Sequence, residues 1–244
     1  MEIVEKLIKK SLQELQRIGF ENGITNGNQE SRLIFPKYCV GEHAKEGKNN
    51  RISEQEARFL FIRELENKKN EHCFYYSIET PTKLPYRFSD KINKEFKPQI
   101  VPVKDGGQSA SVDVTLYEKV KEQFCRKHLI EFKFGNVKTC KKDFLKLLCD
   151  DNQCKINYFI NILENCGHDT IESIHNKYKD SIQYISNNYQ ICSELRCFVF
   201  IYGSNNDEDL KFSNDSGKSD YFNFLVYRYL DNKFDEIKSK RKRI

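Results

Sequence analysis

Two stretches decide how this chain is read, Ser111-Val112-Asp113-Val114-Thr115-Leu116-Tyr117 and Leu129-Ile130-Glu131-Phe132-Lys133-Phe134. Both are rich in β-branched or aromatic residues and both alternate, so they predict strands over 109–117 and 128–134. Successive side chains of a strand point to opposite faces. Val112, Val114 and Leu116 therefore share one face, and Asp113, Thr115 and Tyr117 the other. The same rule turns Ile130, Phe132 and Phe134 inward and sets Glu131 beside Lys133 on the polar face. The polar connection between the strands, about ten residues long, is too short for a parallel crossover. An antiparallel hairpin with an extended loop is expected, and it would bring an Asp, a Glu and a Lys together.

That convergence has a chemical meaning. Two carboxylates a few ångströms apart repel one another unless a cation sits between them, and hard oxygen ligands suit Mg²⁺ or Mn²⁺. A lysine two residues after the Glu can help deprotonate a metal-bound water or offset charge building on a phosphate. The chemistry implied is phosphodiester hydrolysis. The plain alternative is a solvated sheet face carrying a Glu–Lys pair, worth about 0–1 kcal/mol. On either account the three side chains lie on the polar side, so truncating them should leave stability unchanged or slightly raised.

Outward toward the N-terminus, Cys73 to Glu79 reads as a strand ended by Thr80-Pro81, followed by a connection carrying Pro85, Pro98, Pro102 and Gly106-Gly107. Before it, Ser53-Glu54-Gln55-Glu56 has the pattern of a capping box opening a helix. Ile3, Val4, Leu7, Ile8, Leu12, Leu15 and Ile18 predict an amphipathic helix over 2–18, with a long loop from Gly19 to Asn50. Toward the C-terminus the periodicity predicts helices over 138–148, 155–165 and 170–185. Strands are predicted over 196–202 and 221–229, with a polar loop over 203–220 between them. A basic run, 238–243, closes the chain. The fold class is mixed α/β, with residues 1–50 as a helical and loop-rich extension and 51–244 as the main domain.

A strand bearing Asp, a hairpin strand bearing Glu-x-Lys, and a preceding strand and Glu-bearing helix together resemble the PD-(D/E)xK nucleases, the restriction-endonuclease-like superfamily. The resemblance covers roughly residues 53–150, with the later helices and strands as periphery. It implies that Asp113 and Glu131 are metal ligands with the Phe132 carbonyl as a third, and that Lys133 is the catalytic lysine. Val112 stands where the motif's name has proline, which lowers its specificity. By the same likeness Glu56 or Glu79 would add a further acid, although Glu56 already has a structural role as a capping-box residue. Glu79 shares parity with Ser77 and Tyr75 at a strand end.

Lys138, Lys142 and Lys146 recur at i, i+4 and i+8, a row that could track a phosphate backbone or be merely a solvated helix face. The formal net charge is +5 and the pI near 8.6, compatible with a polyanionic partner, although heavy Lys, Asn and Ile usage looks like AT-rich coding bias. Nucleic acid is the expected partner, with DNA favoured, and a homodimer is compatible with the reading. The first rival is a catalytically inactive nuclease-fold module that binds nucleic acid or protein.

The 244 residues include 9 Cys without framework spacing, which suits reduced thiols and a cytoplasmic location. Cys149, Cys154, Cys166 and His168 match no common zinc finger. No apolar run is long enough for a membrane helix. Neither a phosphate-binding GxxxxGK[ST] nor a GxSxG elbow occurs, so nucleotide-driven and α/β-hydrolase chemistry find no support.

Overall fold

The computed structural model describes residues 3–20, 33, 53–88, 97–135, 138–163, 168–201, 223–230 and 233–238. They fall into two compact units that meet at the His72–Cys73 junction. The second helix falls in the same compact unit as the first.

The first unit holds α1 (Ile3–Phe20) and α2 (Glu54–Asn67). Val4, Leu7, Ile8, Leu12 and Leu15 of α1 and Ala57, Leu60, Phe61 and Leu65 of α2 are buried, as the helical spacing predicts. Ion pairs Arg63–Glu14 (2.7 Å) and Lys10–Glu64 (2.8 Å) join the two helices.

The second unit is a mixed α/β sheet. Its strands are β1 (Phe74–Arg87), β2 (Gln99–Ile100), β3 (Gln108–Val120), β4 (Gln123–Phe134), β5 (Ile156–Leu163), β6 (Glu194–Ile201), β7 (Asn223–Leu230) and β8 (Lys233–Lys238). Among the described residues they form one sheet in the order β2-β1-β3-β4-β5-β6-β7-β8. Strands β1, β3 and β4 are antiparallel neighbours. Strand β5 runs parallel to β4, and β6 parallel to β5. The two parallel steps use α3 (Lys141–Cys149) and α4 (His168–Asn188) as their crossovers, since parallel neighbours cannot be joined by a tight turn.

Three expectations are corrected. The span 155–165, expected as a helix, is strand β5. Its residues from Asn157 onward are buried on both faces, and such a strand reads as a continuous apolar run rather than an alternating one. The extended hairpin loop is instead a tight turn at Lys121-Glu122, with Lys121 at φ 56° and Val120 opposite Gln123. The polar residues beside it are strand residues paired across the ladder, as in Lys127–Glu118 at 2.8 Å. Strand β1 also runs past Thr80-Pro81, absorbing the prolines through a register shift between Pro81 and Pro85.

Helices α3 and α4 share one core with the sheet. Phe144 meets Phe159 at 5.0 Å and Tyr178 at 5.3 Å between ring centroids, and Tyr178 meets Tyr227 at 5.8 Å. Cys149 and Cys154 are buried thiols, each pushed up to about 12 mainly by burial. Cys166 and the His168 side chain lie outside the described residues, as do the expected loop 203–220 and all but the first residue of the basic tail. No described helix is long and apolar enough to cross a membrane.

Glu194, at the start of β6, ties the far side of the sheet together. It accepts hydrogen bonds from Arg196 Nε (2.6 Å) and from Arg228 Nε and Nη2 (2.7 and 3.0 Å). Burial pushes its carboxyl up, but the bonds from Arg228 and Arg196 outweigh that and hold it below 4.5. A depressed folded-state value contributes stability that is present above the unfolded value and is lost as pH falls through the folded one. Glu194→Gln is therefore expected to cost more stability near pH 7 than at an acid pH below the ordinary glutamate range. Urea unfolding at the two pH values measures this, and an equal cost at both would contradict it.

Candidate functional site

The site lies where β3 and β4 part. Their ladder runs from Val120↔Gln123 to Val114↔Ile130, and one further step in that register sets Asp113 across from Glu131 on a common face. The Phe132 N–H donates instead to Asp113 Oδ2 at 2.7 Å. The Asp113 side chain thus fills the position of a ladder carbonyl, while β4 continues its pairing with β5 through Phe134↔Ile162. The parity read from the sequence brings Asp113 and Glu131 together.

It does not bring them to an exposed face. Glu131 is 2% exposed and carries an ion pair with Lys146, which is 3% exposed. The Lys146 ammonium also donates to the Ser111 carbonyl at 2.8 Å and lies 3.4 Å from Asp143 Oδ1. Asp143, 4% exposed, faces Lys133 through its other oxygen at 4.0 Å. The cluster thus chains Glu131 to Lys146, Asp143 and Lys133, with Asp113 alongside.

Burial pushes the Glu131 carboxyl well above the usual carboxylate range against the pull of Lys146, and Asp143 and Asp113 push the same way. Burial pulls Lys146 down, but Glu131 and Asp143 outweigh it and raise it. Glu131 holds its proton more tightly chiefly because it is buried, whereas Lys146 does so because Glu131 and Asp143 face it. By formal count three carboxylates, Asp113, Glu131 and Asp143, stand beside two lysines, Lys133 and Lys146.

The donor set fits a hard cation to that extent. Mg²⁺ is commonly held by one or two carboxylates and keeps several waters, and Asp113, Glu131 and the Phe132 carbonyl offer such a set. Among the described residues no group of three or more His, Cys, Asp and Glu is arranged to hold a metal ion. Asn161 adds an unpartnered buried acceptor. It stands beside Lys133 in the β4–β5 register, and its Nδ2 donates to Tyr178 while its Oδ1 has no hydrogen-bond partner.

The other predicted residues are placed differently. Glu79 is exposed with φ 49°, between the pairs Ile78↔Val114 and Thr80↔Val112, and accepts from Ser111 Oγ at 3.0 Å. The β1–β3 register sets it opposite Asp113, while its carboxylate faces Ser111. Glu56 caps α2 in the first unit, accepting from the Ser53 N–H at 2.8 Å while the Ser53 side chain accepts from the Gln55 N–H.

The expected lysine row is corrected. Lys138 precedes α3 and is exposed, and Lys142 is exposed with its ammonium 4.8 Å from the Phe88 ring centre, but Lys146 points into the sheet. The signal that identifies it is the neighbourhood. Phe144, Leu145, Leu147, Leu148 and Cys149 are all buried, leaving that end of the helix no solvent face, and Asp143 stands one turn before Lys146 as its partner.

A second network fixes the end of α3. Asp150 accepts from the N–H groups of Lys83 (3.0 Å) and Leu84 (2.9 Å), from the Tyr86 hydroxyl (3.0 Å) and from Arg126 (3.2 Å). It ties the irregular part of β1 to the helix that carries Lys146.

No family model and no curated protein matches the sequence. Among solved structures the chain is similar to the central domain of yeast acetyl-CoA carboxylase, with a TM-score of 0.31 and 8% identity. The match covers 98% of this chain and 35% of that one, so the chain spans about a third of that structure's length. A likeness of that size assigns no activity.

Proposed function

We propose that the chain is a metal-dependent nuclease with a restriction-endonuclease-like core, hydrolysing phosphodiester bonds of nucleic acid, with DNA favoured. The observation that carries the reading is the meeting of Asp113 with the Glu131-Phe132-Lys133 segment where β3 and β4 diverge. The order of elements within the second unit supports it, since the antiparallel neighbours β1, β3 and β4 are followed by helix α3 and then by the parallel strand β5. When bound, Mg²⁺ or Mn²⁺ would supply a polarised phosphoryl oxygen and an activated water. Asp113 and Glu131 would hold it together with the Phe132 carbonyl. Lys133, a quarter exposed at its side chain, would take a proton or offset phosphate charge beside the carboxylates. The test is incubation of purified protein with plasmid, single-stranded DNA and RNA, with and without Mg²⁺ or Mn²⁺. Divalent-dependent cleavage is expected, and its absence on all three would reject the reading.

A second reading, a nuclease-fold module that binds without cutting, is favoured by one observation: Glu131 already has a cation in Lys146. The two readings share a surface. Lys138 and Lys142 are exposed, and their joint change to Ala is expected to lower the slope of log affinity against log salt by about 1–2. Salt titration of binding to a labelled duplex checks this, and an unchanged slope assigns both lysines to solvent.

A further inference from the structure

At the diverging ends of β3 and β4 the Lys146 ammonium donates to the Glu131 carboxylate and to the Ser111 carbonyl, and it forms an ion pair with the Asp143 carboxylate at 3.4 Å. Ser111 lies two residues from Asp113 on β3, and Glu131 lies on β4. The ammonium therefore bridges the same two strands, at the same level, as the carboxylate pair that would share a divalent ion. It comes from a different element, α3, whose last turn Asp150 fastens to β1. The cation is built in and tethered.

We propose that Lys146 is the tethered counter-cation of the carboxylate pair: it holds Glu131 in place while no divalent ion is bound, and divalent binding at Asp113 and Glu131 drives its ammonium off Glu131. This rests on the metal-dependent reading above. Two cations cannot both lie within bonding distance of one buried carboxylate without strong repulsion, which the second charge of the ion doubles. Asp143 gives the displaced ammonium a partner. It sits one helical turn before Lys146 on α3 and moves with it, so the lysine can leave Glu131 without becoming an unpaired buried charge. Lys146 is thus a positioning residue that lowers the divalent affinity of the site.

A brace and a counter-cation predict opposite signs. If Lys146 only braces Glu131, removing it disorganises the ligand and weakens metal binding. If it competes with the ion, removing it tightens binding. Calorimetric titration of Mn²⁺ into wild type, Lys146→Met and Glu131→Gln is the test, with the melting temperature of each followed in parallel. Lys146→Met is expected to bind Mn²⁺ about tenfold more tightly than wild type and to gain more in melting temperature from it, while Glu131→Gln loses binding. Equal or weaker binding by Lys146→Met, beside wild-type binding that Glu131→Gln abolishes, overturns the counter-cation and leaves the metal reading standing. No Mn²⁺ uptake by wild type removes the metal reading and this proposal with it.

Lys146→Met could fail to fold, so a second arm uses the wild type. Acetic anhydride labelling, mapped by peptide mass spectrometry, should leave Lys146 protected without metal. Saturating Mn²⁺ should raise its labelling several-fold relative to the exposed Lys142. Unchanged labelling of Lys146 under saturating Mn²⁺ overturns the proposal.

Discussion

Changing Lys146 to Met is expected to lower the unfolding free energy by about 3–5 kcal/mol, more than changing any other lysine among the described residues. The side chain is buried and its ammonium is bonded to Glu131, Ser111 and Asp143. Methionine fills most of the volume, so little of the loss comes from a cavity. The loss comes from leaving buried Glu131 without its cation and buried Asp143 with the long 4.0 Å contact to Lys133 in place of the shorter one to Lys146. The companion Glu131→Gln should cost less, because its amide oxygen still accepts from Lys146 and Asp143 still balances the charge. The double variant Glu131→Gln/Lys146→Met should recover part of the single-variant loss, since the charge it leaves behind is Asp143, which still faces Lys133 at 4.0 Å. Urea unfolding of the four proteins at neutral pH measures this. A loss below about 1 kcal/mol for Lys146→Met is the range of an exposed pair and would place the ammonium in solvent.

Asp113→Asn and Glu131→Gln are each expected to bring divalent-dependent cleavage down to background. Asp113→Asn keeps an acceptor for the Phe132 N–H, so the parting of β3 and β4 is preserved while the ligand's charge is removed. The loss can then be assigned to chemistry rather than to folding. Lys133→Ala should slow cleavage by about 10²–10⁴-fold if the amine acts in proton transfer or on transition-state charge. It should also leave stability nearly unchanged, because its Asp143 contact is long and its side chain partly exposed. Single-turnover cleavage of a labelled duplex in Mg²⁺, with unfolding curves alongside, separates the two effects. Variants that cut as fast as wild type would hand the site to the binding-module reading.

The parity of a strand was legible in these residues. It placed Asp113 opposite Glu131 correctly, because period two is a geometric property that holds whatever covers the strand. What covers the strand was not legible. The inward face of a sheet is ordinarily marked by apolar residues, so Glu131 and Lys133 read as solvent-facing. In fact α3 closes over Glu131 with a lysine of its own, and the expectation that truncating Glu131 would be harmless fails with it. Lys146 was misread for a related reason, since the i, i+4, i+8 rule is blind to a helix whose final turn is buried all round. Strand β5 was taken for a helix because apolar residues on both faces erase the period that tells the two apart. The meander, the crossover helices and the capping box of α2 were all recoverable, as each depends on neighbours in sequence.

The bond from the Phe132 amide to Asp113 has a use beyond the geometry it fixes. Most amides of β4 are bonded to backbone, and their hydrogen exchange reports the opening of the sheet. This one is bonded to a carboxylate, whose grip depends on its charge and on whatever else it binds. The Phe132 amide is therefore a natural probe of the site. Its exchange rate, compared with those of its β4 neighbours, reads the state of Asp113 in the unmodified protein without a label or a substrate.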